Sequence, residues 1–223
     1  MNNRLLGISM LLMTFCCTAV SAQESSAPTS EKMEIPIEGG IKSDLIFMNF
    51  MTKKAPAAVS TFAPGGCVGG FVHIRFSENI SIQPELNINY KRSRFGWAEN
   101  SGNWQSWGVE VPIYVMGGWD TFKDQRLYFG IGPYTEFYYF AQWQFDGRRR
   151  DLLQVNDKGE PMIQDTQSGI GAVFCYEFGN GIRINLTYRI CFYNILQPNS
   201  SQGVSLYPQS AAIGIAYNFK KKA

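Results

Sequence analysis

Long segments in which apolar and polar residues alternate strictly are the feature that most constrains the fold of this chain. The segment 182–192 places apolar or aromatic side chains at its even positions, from Ile182 to Phe192, and mostly polar ones at its odd positions. The segment 80–91 repeats this pattern. A period of two is the geometry of a β-strand whose faces differ. A soluble β-sandwich would bury the apolar face, whereas a barrel in lipid would turn it outward.

Eight segments can be assigned as strands. They cover residues 44–51, 68–76, 80–91, 109–116, 127–141, 169–178, 182–192 and 211–219. The connections alternate between longer and shorter, as in outer-membrane barrels with long outer loops and short periplasmic turns. We therefore predict an all-β chain that forms an eight-stranded antiparallel up-and-down transmembrane β-barrel in the bacterial outer membrane, with both termini periplasmic.

Prolines inside three of these segments keep a second interpretation open. Pro84, Pro112 and Pro133 each remove one backbone donor from the strand ladder. A closed barrel has no free edge strand on which such a residue is easily accommodated. A soluble secreted sandwich or barrel therefore remains the alternative fold.

The first 22 residues have the composition of a secretory signal peptide. Arg4 precedes an apolar stretch over 5–20, and Ala22 is a suitable small residue before the cut. We predict cleavage between Ala22 and Gln23. Two alternatives are a transmembrane helix, for which the stretch is short, and a lipid anchor on the cysteine pair 16–17, for which Phe15 is large.

The rest of the chain is predicted to form a leader and one domain. Residues 23–40 are rich in Ser, Pro, Glu and Lys and are predicted to be a flexible periplasmic leader. Residues 41–223 are predicted to form the barrel domain. They contain no further long apolar run, which excludes a helical membrane protein. The formal net charge of +2 gives no basis for nucleic-acid binding.

The last strand has the form of a barrel-insertion signal. Gly214 is followed by two spacers, Tyr217, one spacer and Phe219. The aromatic residues share a face with Ile213 and Ile215, while small or polar residues occupy the other face. We predict that the machinery that inserts β-barrels reads this strand through Gly214, Tyr217 and Phe219.

Eight charged residues fall on faces predicted to point into the barrel. They are Arg75, Glu85, Glu110, Arg126, Glu136, Glu177, Arg183 and Arg189. Charges in a low-dielectric interior need partners of opposite sign, and an eight-stranded barrel is only wide enough for side chains. We therefore predict a lumen filled by a charge network, rather than a wide pore or a pair of catalytic carboxylates.

Residues with catalytic or metal-binding chemistry are sparse. His73, the single histidine, is followed by Ile74 and Arg75, which departs from the His-x-Ser pattern of barrel enzymes that deacylate lipid A. A catalytic histidine also needs a nucleophile and an orienting acid nearby. The histidine and cysteine spacing matches no metal site. We therefore expect no catalytic residue, no metal and no cofactor.

Three cysteines follow the predicted signal peptide: Cys67, Cys175 and Cys191. With a turn near Asn180, Cys175 would face Asn185 on the neighbouring strand. A Cys175–Cys191 disulfide would need a different register. Buried free thiols are expected.

Aromatic residues lie near the predicted strand ends: Trp104, Trp107, Trp119, Tyr139 and Trp143. They are expected to form girdles at the lipid–water boundary. The alternative is a carbohydrate-binding platform in the predicted loop 93–106. Arginines 148–150 form a charge run in the longest predicted loop, and they are interpreted either as a solvated face or as a contact for anionic lipopolysaccharide.

Four short motifs resemble strands of the PorT-like outer-membrane β-barrel family of Bacteroidetes-type envelopes. Residues 80–86 resemble its Gln-Pro-Glu-Leu strand, 109–113 its Glu-Ile-Pro strand, 129–134 its Gly-x-Gly-Pro-Tyr strand and 212–219 its closing strand. The resemblance spans about 68–219 and implies an outer-membrane barrel. It implies no single activity, although the name-giving member of the family serves a protein secretion apparatus.

The function expected from these features is that of a non-enzymatic outer-membrane protein with a structural or surface-interaction role. Expected partners are outer-membrane lipid and lipopolysaccharide, and the barrel-insertion machinery during assembly. One alternative is an accessory subunit of a secretion or assembly machine, with secretion proteins as partners. The other is a lipid-modifying barrel enzyme that uses His73.

Overall fold

The computed structural model describes residues 36–53, 58–97, 100–155, 160–197 and 205–219. The predicted signal peptide, its cleavage site at Ala22 and Gln23, and most of the predicted leader lie outside the described residues. The strands are β1 (Ile37–Lys53), β2 (Ala58–Arg75), β3 (Ile80–Trp97), β4 (Asn100–Phe122), β5 (Gln125–Phe145), β6 (Arg148–Asp151), β7 (Thr166–Glu177), β8 (Ile182–Cys191) and β9 (Ser205–Phe219). In the part described, no helix is long and apolar enough to cross a membrane.

Eight of these strands close into a ring in which neighbours are antiparallel. The order is β1, β2, β3, β4, β5, β7, β8 and β9, and β9 pairs with β1 along its whole length to close the ring. The short β6 lengthens a hairpin on β5 and takes no place in the ring. Closure removes free edge strands. The predicted eight-stranded antiparallel barrel is confirmed.

The two faces of the strands are distributed as in a transmembrane barrel. On β8, Ile184 and Leu186 point outward and are 42% and 48% exposed, whereas Arg183 and Arg189 are buried inside. The outside of the ring is therefore apolar and the inside is polar, which is the reverse of a soluble sandwich.

The three prolines lie where the backbone pairing is interrupted. Pairing between β2 and β3 skips Pro84 together with Gln83, and pairing between β3 and β4 skips Pro112. Pairing between β4 and β5 skips Pro133. The ladder thus accommodates each missing donor by a local break, and the barrel closes in spite of them.

Several strands are longer than the hydropathy pattern predicts. β1 begins at Ile37, so residues 37–40 belong to the barrel and their assignment to the leader is wrong. The predicted connections 52–66, 93–106 and 117–125 are mostly strand. Backbone pairing with a neighbour continues through these segments whatever the side chains are: Trp97, for example, pairs with Asn100 at the end of the β3–β4 hairpin.

The outward face of β4 shows how far the barrel lies in lipid. Trp107 and Trp119 are exposed, and the outward residues between them are valine, isoleucine or glycine. With a rise of ~3.4 Å per residue and a tilt of ~40°, these tryptophans lie roughly 30 Å apart along the barrel axis, which is the thickness of a bilayer core. Beyond Trp107 the outward residues of β4 are polar. We call this end of the barrel, which includes strand residues 92–97, 100–106, 140–145 and 148–151, the loop end.

The opposite end of the barrel, which we call the turn end, carries the turns at residues 76–79, 123–124 and 178–181. Asp124 and Gly181 adopt positive φ angles of 61° and 87° there, as tight turns require. Ile37 and Phe219, the first residue of β1 and the last of β9, lie at this same turn end.

Candidate functional site

Six of the eight charged residues predicted to face the lumen lie in the barrel interior, each at most 4% exposed: Glu85, Glu110, Glu136, Glu177, Arg183 and Arg189. Arg75 and Arg126 lie instead at the turn end, where β2 ends and β5 begins. Arg75 Nη2 is 3.4 Å from Glu38 Oε1, and Arg126 Nε is 2.7 Å from Asp120 Oδ1. These two arginines are therefore partly exposed, although Arg126 lies opposite the buried Glu177 on β7.

Glu110 is the centre of the largest ion-pair cluster. Its Oε1 lies 3.0 Å from Arg189 Nε, and its Oε2 lies 3.2 Å from Lys91 Nζ. Lys91 Nζ is also 2.6 Å from Glu136 Oε2, which accepts a hydrogen bond from Gln167 Nε2. Two carboxylates and two cations thus neutralise one another across the interior.

A second cluster is built around Glu85. Its Oε2 lies 2.9 Å from Lys42 Nζ, which is also 3.0 Å from Asp44 Oδ2. Gln83 Nε2 donates to Glu85 Oε1 at 2.9 Å, and Asn87 Nδ2 donates to Oε2 at 3.1 Å. Every oxygen of Glu85 therefore has a donor, as a buried carboxylate requires.

A third cluster lies nearer the turn end. Arg183 Nη2 is 2.5 Å from Glu177 Oε2, and Arg183 Nη1 donates to Gln83 Oε1 at 3.0 Å. The guanidinium also lies over the rings of Phe71 and Tyr128, at 4.9 and 5.3 Å. Because Gln83 bonds to both Glu85 and Arg183, the second and third clusters are joined.

Sequence reasoning missed three members of these clusters. Lys91 lies on the same face of β3 as Glu85, so the period-two pattern of that strand was enough to predict that Lys91 points inward. Lys42 and Asp44 lie on the inward face of β1, which also carries the buried Ile46. Both faces of that strand contain apolar residues, and its hydropathy therefore does not show which face is inside.

His73 lies buried among these side chains. Its Nδ1 is 3.1 Å from Gln83 Oε1, and its ring packs edge-on against Tyr128 with centroids 5.2 Å apart. An amide and a phenol ring are neither the nucleophile nor the orienting acid that a catalytic histidine needs. In the described part of the chain, no group of three potential metal-ligating side chains is close enough to hold a metal ion.

The cysteines Cys67, Cys175 and Cys191 are free and buried. Cys175 lies opposite Asn185 on β8, which is the predicted register. The prediction of buried thiols is confirmed.

The girdle prediction is right for some aromatic residues and wrong for others. Trp107, Trp119 and Tyr139 are exposed on the outside of the barrel. Trp104 is 2% exposed and points inward, and Trp143 packs against the same interior cluster, so neither belongs to a girdle. The strand register decides this, because Trp104 and Trp107 are three positions apart and therefore on opposite faces. The predicted loop 93–106 is a strand hairpin.

The loop end of the barrel has an apolar core of its own, which the sequence did not reveal. Residues from β1, β3, β4, β5, β9 and the segments after β6 and β8 pack there: Met48, Phe50, Phe95, Trp104, Tyr138, Ala141, Leu152, Ile163, Ile195, Leu196 and Leu206. A cavity of about 360 Å³ opens beside this core. Some residues of this core are apolar residues in segments predicted to be loops. They come into contact only when the barrel closes, so the sequence alone does not show the core.

The arginine run lies on β6, at the edge of this cavity. Arg149 is opposite Gln144 and Arg150 is opposite Trp143, so the two arginines lie on different faces of β6. Arg150 lines the cavity, and all three arginines of the run are exposed.

The turn end has a wide, charged opening. It encloses about 570 Å³ and is lined by Glu38, Arg75, Asp120, Phe122, Lys123, Asp124, Arg126, Glu177 and Gly179. Between the two openings, the three charge clusters and buried rings such as Tyr114 and Tyr128 occupy the interior.

Comparison with known proteins identifies the family. Residues 21–197 match the family described as outer membrane protein beta-barrel domain. No curated protein sequence matches the chain. Similar solved structures include Neisserial surface protein A (13% identity, 81% of this chain and 97% of that chain, TM-score 0.45) and OprG from Pseudomonas aeruginosa (12%, 82% and 97%, 0.49). The outer membrane enzyme PagL (9%, 78% and 98%, 0.40) is a third.

Proposed function

The chain belongs to the outer membrane protein beta-barrel domain family, and from this premise we propose that it is a non-conducting, non-enzymatic barrel with a surface-interaction role. The proposal depends on one observation: buried and mutually paired charges occupy the middle of the barrel. A wide diffusion pore needs a water-filled lumen, and in this barrel side chains take that space.

The same pairing argues against an acid–base role for the interior carboxylates. Glu110 and Glu136 are fully buried, and each is held by a cation at 2.6–3.2 Å. A general acid or base must reach a substrate proton directly or through one water. Glu110 and Glu136 instead share the cation Lys91, and Glu110 also pairs with Arg189. This arrangement supports a structural role.

The proposed orientation places both termini and the turn end in the periplasm and the loop end at the cell surface. An even number of strands and the position of Ile37 and Phe219 at the turn end support it. The exposed arginines of β6 then lie on the side of lipopolysaccharide, whose phosphates attract such a charge run.

A second candidate, an accessory subunit of a secretion or assembly machine, is favoured by the charged opening at the turn end. Its lining contains both carboxylates and cations, among them Glu38, Arg75, Asp120 and Arg126. Such a rim suits a periplasmic protein of complementary charge. Recovery of a stoichiometric periplasmic partner from detergent extracts would favour this candidate over the first.

We expect the purified protein to form no open channel in planar lipid bilayers, because the charge clusters occupy the lumen. The measurement is single-channel current at raised salt, with a general porin as positive control and protein-free detergent as blank. Long-lived current steps that scale with protein concentration would contradict the proposal.

We further propose that Gly214, Tyr217 and Phe219 act as the insertion signal during assembly, and Phe219→Ala tests this. Phe219 is 52% exposed in the finished barrel, so its loss removes a modest apolar contact. We expect a several-fold lower amount of inserted protein in cells, with a much smaller change in the stability of protein refolded in detergent.

Ile213→Ala is the matched control, because Ile213 lies on the same outward face of β9 and is 49% exposed. It should leave the inserted amount near that of the wild type. Equal membrane levels for both variants and the wild type would reject Phe219 as a signal.

A further inference from the structure

The cavity at the loop end has the features of a small-molecule site. It encloses about 360 Å³, within the range of ligand pockets, and its wall is mainly aromatic and aliphatic. The lining residues come from distant parts of the chain: Phe95, Asn100, Trp104, Trp143, Phe145, Arg150, Leu152, Met162, Ile163, Leu196 and Leu206.

The aromatic part of the wall is held in place by its own contacts. Trp104 packs edge-on against Phe50 with centroids 4.8 Å apart, and Phe95 packs against Trp143 at 5.9 Å. Trp143 stacks on Phe145 at 4.2 Å and donates its indole N–H to the carbonyl oxygen of Phe95 at 3.1 Å. The cavity is therefore bounded by side chains in fixed positions, so that little order is lost when a ligand enters.

Two polar residues distinguish this cavity from a packing defect. Arg150 and Asn100 contribute to its lining, and both are exposed. A ligand whose apolar part lies against the aromatic and aliphatic wall can therefore present a polar group to them.

We propose that this cavity binds a medium-chain amphiphile with an anionic head group, such as a fatty acid. The apolar wall takes the hydrocarbon chain, and the guanidinium of Arg150 at the rim takes the carboxylate. At the ~30 Å³ that one water occupies in the liquid, the cavity holds roughly twelve non-hydrogen atoms. A saturated ten-carbon carboxylate has that number.

The charge clusters below the cavity prevent a bound ligand from passing through the barrel. The interior beneath Trp104 is occupied by the paired side chains of Glu110, Lys91 and Arg189. The ligand is therefore held at the loop end and does not pass through the barrel. This inference shares the surface orientation of the proposed function but not its test, because ligand binding and channel conductance are measured separately.

The test is isothermal titration of the full chain in lipid nanodiscs with decanoate and with decan-1-ol, using empty nanodiscs as reference. We expect saturable binding of both probes beyond their uptake by lipid. Arg150→Gln should weaken decanoate binding by roughly threefold to tenfold, as expected for a partly exposed charge-assisted contact, and change decan-1-ol binding less than twofold.

Arg149→Gln is the matched control, because Arg149 is the neighbouring residue on the other face of β6. It should leave both affinities unchanged. Met162→Trp adds bulk to the partly buried wall and should abolish saturable binding of both probes, while heat-modifiable migration on gels shows that the barrel is folded. Binding no greater than in empty nanodiscs, or equal effects of the two arginine variants, would overturn the proposal.

Discussion

Glu110→Ala is expected to lower the free energy of unfolding by about 3–5 kcal/mol, the usual cost of removing one partner from a buried ion pair. Glu110 is fully buried and is the carboxylate paired with Arg189, whose side chain is 2% exposed. Its loss removes the carboxylate that is ion-paired with this guanidinium. Lys91 retains Glu136 at 2.6 Å, so most of the effect arises from Arg189.

The measurement is urea-induced unfolding of the protein in lipid vesicles, followed by tryptophan fluorescence. Asp120→Ala is the matched control, because Asp120 pairs with Arg126 at 2.7 Å at the turn end and its side chain is 78% exposed. That pair should contribute less than ~1 kcal/mol, as partly exposed ion pairs do. Equal unfolding midpoints for wild type and Glu110→Ala would show that the central cluster does not stabilise the barrel.

Gly132→Ala is expected to lower the free energy of unfolding by about 3 kcal/mol, the upper part of the usual range for overpacking. A Cβ atom on Gly132 would lie 1.9 Å from the carbonyl oxygen of Ile113 and 2.8 Å from its carbonyl carbon. Both are backbone atoms of the neighbouring strand β4, so relief requires the two strands to move apart. A closed ring resists such movement, because every strand is held on both sides.

Gly39→Ala provides the control for the loss of glycine itself. The nearest atom to its added Cβ is the carbonyl oxygen of Phe71, at 3.9 Å, which is an ordinary contact. It should change the free energy of unfolding by no more than ~1 kcal/mol, the usual size of a glycine-to-alanine change without strain. Similar midpoints for the two variants would show that β4 and β5 approach less closely than the structure indicates.

The sequence determined which side chains of the regular strands face the lumen. In β8 and β3 the alternation is strict, and a slip of one residue would turn every side chain to the other face. The inward positions of Arg183, Arg189 and Glu85 follow from it directly. The eight strands of the ring and their order also follow, because short turns make successive strands antiparallel neighbours.

The pairing of the charges was decided by tertiary structure. The partners of Glu110, namely Arg189 on β8 and Lys91 on β3, lie on strands distant in sequence, and closing the ring brings them together. Lys42 entered the network although its strand has apolar residues on both faces. Local periodicity assigns a face to a residue only where the two faces differ in polarity.

Tertiary structure also decided where the strands end and what the loop end encloses. Backbone pairing with a neighbour extends β3 to Trp97 and β1 back to Ile37, although the hydropathy pattern stops earlier. The cavity needs β4, β6 and the segment around Ile163 to meet above a closed ring. The sequence alone therefore determined the architecture and its inward faces, because these depend on local alternation. The ion pairs and the candidate binding site depend on long-range contacts, which are made only when the barrel closes.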